Sequence, residues 1–121
     1  MTPLRPVHWI GPSLADLRAC PERVEDLVGY ALYLVQEGTH HPRAKQLRGP
    51  LHGLVEVVAD HDGDTYRAVY TVKLRGAVYV LHVFQKKSTH GIATPKHELA
   101  LILQRLRQAQ AHWAIHYGKE T

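Results

Sequence analysis

Arg67, Lys86 and Lys87 stand where a chain this rich in Val, Tyr and Leu would not place charge for the sake of a core. They mark the two ends of one stretch, Asp64 to Lys87, which reads DTYRAVYTVKLRGAVYVLHVFQKK. An Arg in mid-strand can grip a phosphate through two N–H groups, and a Lys at a strand exit brings a point charge or an acid to the same place. Blander alternatives stay open. An Arg on a sheet face is often half of an ion pair, and paired Lys residues often guard a strand end.

Groups that could move protons are fewer. Glu56, in the run LVEVV, fits a general base or a solvent-facing acid. Among ten histidines, His90 and His97 are candidates for proton transfer because imidazole titrates near neutral pH, although a surface histidine is the default. Arg43, Lys45 and Arg48 gather in one loop. With Lys73, which shares a strand face with Arg67, and with His90, they offer further contacts to a polyanion. No histidine pairs with a cysteine or carboxylate at metal-ligand spacing, so neither a metal nor another cofactor is expected.

These residues need a sheet to hold them. Val, Tyr and Thr dominate both halves of 64–87, and Arg75-Gly76 between them is a turn signal, so the stretch reads as a β-hairpin. A preceding strand over 54–59 meets it through Asp62-Gly63, completing a three-stranded antiparallel meander over 54–59, 65–74 and 78–85. Side chains alternate across a strand, which sets Thr65, Arg67, Val69, Thr71 and Lys73 opposite Tyr66, Ala68, Tyr70 and Val72. The second set is apolar and continuous, hence helix-covered. In the next strand the set holding His82, Phe84 and Lys86 and the set holding Tyr79, Leu81 and Val83 are both mostly apolar, and alternation does not choose between them. Tyr70 and Phe84 are expected in the core.

Upstream, Arg5 to Ile10 reads as a short strand. Ser13 opens a brief helix with Asp16 completing a variant capping box. Pro21 opens a second helix with Val24, Leu27, Val28, Ala31, Leu34 and Val35 at helical spacing, ended by Gly38. Residues 39–50 read as an irregular basic loop. Thr94-Pro95 predicts the cap and first position of a final helix with Leu99, Ile102, Leu103, Leu106, Ala109 and Trp113 inward and Gln104, Arg105, Arg107 and Gln108 outward. The order β-α-α-β-β-β-α predicts an α+β fold, with helices on one face of a small, mainly antiparallel sheet.

With 121 residues the chain suits a single domain, 1–121. Fifteen Lys and Arg against eleven Asp and Glu give a formal charge of +4, which fits a polyanionic or acidic partner. No apolar run is long enough for a membrane span, and MTPLRPVHW does not look like a signal peptide. One cysteine, Cys20, suits the cytoplasm, where it reads as a small half-buried residue.

In order, VHWIGPSLADLR, LRGPLHGLVEV, YRAVY, YVLHVFQKKS and TP before Glu98 resemble the phage-derived HigB-like toxins of the RelE/ParE superfamily, and the likeness spans nearly the whole chain. The resemblance implies a toxin of a type II toxin–antitoxin system. It implies a ribosome-dependent endoribonuclease that cuts mRNA, held silent by a cognate helix-turn-helix antitoxin. It also implies that Arg67, Lys86 and Lys87 contact the scissile phosphate. Two features depart from RelE-like toxins. The last segment has no Tyr before Tyr117, and Glu56 stands where lysines are usual. Alternatives within the superfamily are a ParE-like toxin that binds gyrase without nuclease chemistry, and a degenerate member that only binds an antitoxin.

Overall fold

The computed structural model describes residues 3–86 and 94–118. Strand β1 (Val7–Trp9) leads into helix α1 (Ser13–Arg18) and helix α2 (Glu22–Gln36), followed by β2 (Ala44–Gln46), β3 (Val55–His61), β4 (Asp64–Thr71), β5 (Val78–Lys86) and helix α3 (Lys96–His116). The strands form one sheet in the order β1-β5-β4-β3-β2, antiparallel except where β1 joins β5 in parallel. The meander of β3, β4 and β5 is the one expected, and the first strand takes the sheet edge beside β5. The 39–50 loop differs: it contributes β2 and a 3-10 turn at Gly49–Leu51. Lys45 pairs directly with Glu56, so a neighbouring strand, not local propensity, makes this segment extended. Asp62 and Gly63 both take positive φ, 51° and 82°, the geometry of the tight hairpin turn that Asp-Gly favours.

The helices do not share one face. Leu17, Val24, Val28, Ala31, Leu32 and Val35 of α1 and α2 pack on Val55, Val57, Ala59, Ala68 and Tyr70. Ile102 and Ala109 of α3 pack on Val69, Tyr79, Leu81 and Phe84. Because Ala68, Val69 and Tyr70 are consecutive, the two clusters lie on opposite faces. The physical reason is the apolar character of both sets on β5: a strand greasy on both sides needs cover on both.

A bulge makes β5 unusual. Val69 pairs with His82 and Tyr70 with Val80, which leaves Leu81 as the extra residue. Leu81 and His82 therefore both face α3, while Val80 and Val83 remain under α1 and α2. This shift answers the question that alternation left open, placing His82 and Phe84 on the α3 side.

Helix starts deviate locally. Pro12, Pro21 and Pro95 occupy the N-cap positions, none with a side-chain cap bond. The Ser13 box does not form, since the Ser13 hydroxyl donates to the Val80 carbonyl at 3.3 Å. Among the described residues, no helix is long and apolar enough to cross a membrane.

A candidate basic site on the α3 face of the sheet

Glu56 is the centre of the candidate site. It sits on β3 between β2 and β4, facing the α3 side, and is only 1% exposed. Sheet register brings two cations to it. Lys45, directly opposite on β2, reaches Glu56 Oε1 at 3.6 Å, and Arg67, diagonally placed on β4, donates from Nη1 to the same oxygen at 2.5 Å. The sequence allowed Glu56 to be a solvent-facing acid. The structure buries it, with Lys45 and Arg67 from the two flanking strands set against its carboxylate.

Arg67 is mostly buried, and its Nε has no hydrogen-bond partner among the described residues. A buried guanidinium N–H without an acceptor is unusual and leaves a donor for an incoming oxygen. Lys86 stands on the same surface: it pairs with Thr65 and is buried at the end of β5. Its ammonium pKa is lowered, first by burial, then by the Arg67 charge, with Glu56 acting in the opposite sense and Lys45 adding to the lowering. Lys45, Glu56, Arg67 and Lys86 thus act on one another across four strands.

The other residues singled out in the sequence divide. Arg43 is bound to Asp60 at 3.0 Å, exposed. Arg48 is exposed before the 3-10 turn. Lys73 lies beyond the far end of β4, its stem against Gly53, roughly 20 Å along the strand direction from Arg67. His97 is exposed on the first turn of α3, 3.8 Å from Glu98. Lys87 and His90 lie outside the described residues.

A second group escaped the sequence reading. His82 Nε2 meets Glu98 Oε1 at 2.7 Å, and Arg105 Nη1 meets His82 Nδ1 at 2.8 Å and the Leu81 carbonyl at 3.2 Å. A guanidinium can only donate, so Nδ1 accepts and the imidazole proton sits on Nε2, donated to Glu98. Arg105 thus turns inward to the sheet, contrary to its expected outward place. The spacing of Glu98 and Arg105, seven residues or two turns, was the available signal that they share a face. The His82 ring stacks on Phe84 at 4.6 Å, and Phe84 is the direct partner of Arg67. The trio therefore clamps α3 onto β5 beside the basic cluster.

Fold and site together define a small α+β protein with a charged sheet surface walled by a C-terminal helix. A family model described as "Phage derived protein Gp49-like (DUF891)" matches residues 15–107. The chain belongs to this phage-derived family, a RelE/HigB-type family of toxins from toxin–antitoxin systems. Among solved structures it is similar to the toxin–antitoxin complex RelBE2 of Mycobacterium tuberculosis, with a TM-score of 0.49 and 22% identity over 69% of this chain and 99% of that one. No curated protein matches.

Proposed function

We propose that this toxin is a metal-independent endoribonuclease that cuts mRNA on the ribosome and is neutralised by a cognate helix-turn-helix antitoxin in the cytoplasm. The observation that carries the reading is the buried Arg67 guanidinium, its Nε without a partner among the described residues, set beside Lys86 and Lys45 on one surface. In the reaction the ribose 2′-oxygen attacks phosphorus, a 2′,3′-cyclic phosphate forms and the 5′-oxygen leaves. Arg67 is placed to hold the phosphate as negative charge builds on it. Lys86 has a lowered pKa, so its proton is easier to give to the leaving 5′-oxygen. Glu56 keeps Arg67 oriented and, as the carboxylate of the cluster, takes the 2′-OH proton. Lys87, His90 and His97, with the contacts at Arg43, Arg48 and Lys73, complete the proposed RNA-facing set.

A second reading is a ParE-like toxin that binds gyrase without nuclease chemistry. The commitment of Arg67 Nη1 to Glu56 favours it, because that bond partly neutralises the guanidinium. Primer extension on translated mRNA, run beside a gyrase supercoiling assay, separates the two. Nuclease function requires new 5′-hydroxyl ends with wild-type protein and their loss with Lys86→Met. Uncut mRNA together with blocked supercoiling would overturn it.

A further inference from the structure

On the sheet face covered by α1 and α2, away from the basic cluster, a cleft of about 550 Å³ opens between β1 and the two helices. Leu17 and Leu32 form an apolar floor, and Trp9 and the 55% exposed Tyr30 stand at its sides. Glu25 and Asp26 line the α2 wall, with Arg18 on α1.

The middle of α2 in this cleft is Gly29. Glycine weakens a helix interior relative to alanine, so its presence there calls for a cause. Its φ is not positive, and a Cβ built on it would meet nothing of the described residues within 4 Å. Neither backbone conformation nor internal packing requires it. The missing side chain matters only to a body arriving from outside, which can bring its own backbone close to α2 at this point.

We propose that this cleft docks the antitoxin through an amphipathic helix: a small residue over Gly29, apolar side chains on Leu17 and Leu32, and Lys or Arg against Glu25 and Asp26. The inference rests on the reading that the toxin is held by an antitoxin. Charge selects the occupant. Two adjacent carboxylates repel nucleic acid and favour a cationic segment. A second copy of this chain would bring the same two carboxylates and only Arg18 from its cleft to answer them.

The test titrates the protein encoded beside the toxin gene into wild-type toxin, Gly29→Ala, the double variant Glu25→Lys/Asp26→Lys, and Lys45→Ala, by calorimetry. Gly29→Ala raises the melting temperature of the free toxin and leaves growth arrest intact, yet weakens antitoxin binding about tenfold or more. The charge reversal weakens binding at least as much, and Lys45→Ala leaves it unchanged. Equal affinity for all four proteins overturns the proposal, as does self-association of wild-type toxin that Gly29→Ala abolishes, or RNA binding lost only in the cleft variants. Failure of the neighbouring gene product to bind wild-type toxin refutes the antitoxin reading itself, an outcome distinct from equal binding.

Discussion

Cutting the Glu56–Arg67 pair from either side should cost far more than removing it whole. Glu56 is almost fully enclosed and Arg67 nearly so, 1% and 12% exposed at the side chain, so neither charge can recover its hydration if its partner is lost. Breaking such a pair costs about 3–5 kcal/mol, whereas replacing both ions by apolar groups of similar volume is often neutral or stabilising. Glu56→Leu leaves a buried guanidinium whose Nε already has no partner among the described residues. Arg67→Leu leaves a buried carboxylate with Lys45 at 3.6 Å, 59% exposed and too solvated to compensate fully, and with the Lys86 charge acting on it from β5. At roughly 3–6 °C per kcal/mol for a domain of this size, each single variant should melt about 10–30 °C below wild type. The double variant Glu56→Leu/Arg67→Leu should melt near wild type while losing all activity. Urea unfolding of the four proteins gives the coupling energy, expected at about 6–10 kcal/mol if the double variant is as stable as wild type. A coupling below about 1 kcal/mol, the value of a solvent-screened surface pair, would show that the site is wet and that Arg67 is not held as described. The same reasoning warns that Arg67→Ala abolishes function partly by unfolding, so Lys86→Met is the cleaner probe of chemistry.

Other perturbations have equally definite outcomes. Arg105→Met removes the donor to His82 Nδ1 and Leu81 O and should cost roughly 1.5–3 kcal/mol in urea unfolding, whereas His97→Ala, at an exposed site, should change stability by less than about 0.5 kcal/mol. Lys86→Arg keeps the charge but removes a titratable acid of lowered pKa. It should preserve RNA binding and lower the cleavage rate, and an unchanged rate would exclude Lys86 as proton donor. His8 Nε2 lies 2.7 Å from the Tyr117 hydroxyl, and its pKa is held below 6.5 by burial first and then by His112 and His116. Because the folded pKa is depressed, the unfolded chain binds more protons below about pH 6.5. This contribution to stability is therefore complete above that pH and declines as pH falls toward the folded value. His8→Phe should flatten the fall in melting temperature between pH 7.5 and 5.5, and an unaltered slope would refute the assignment.

Much of this protein was legible along the chain because local signals are strong there. Asp62-Gly63 marked the β3–β4 turn, the stripe from Leu99 to Trp113 marked α3, and Arg67 stood out as a charge among apolar residues. What escaped depends on neighbours. Lys45 read as part of a loop, and only its pairing with Glu56 shows it in a strand aimed at the site. His82 read as ambiguous because a bulge at Leu81 leaves no periodic trace, and Arg105 read as outward-facing because its long side chain curls inward from the polar side of the stripe.

By itself the sequence determined the α+β class, the meander, the placing of Tyr70 in the core and the Arg and Lys residues worth watching, since pattern and turn chemistry act within a few residues. Tertiary structure alone decided that the helices divide between two faces, that Glu56 is buried, and that it binds Arg67 and Lys45. Those facts follow from strand order and register, which bring together side chains on separate strands, each pointing according to a pleat that one extra residue can invert.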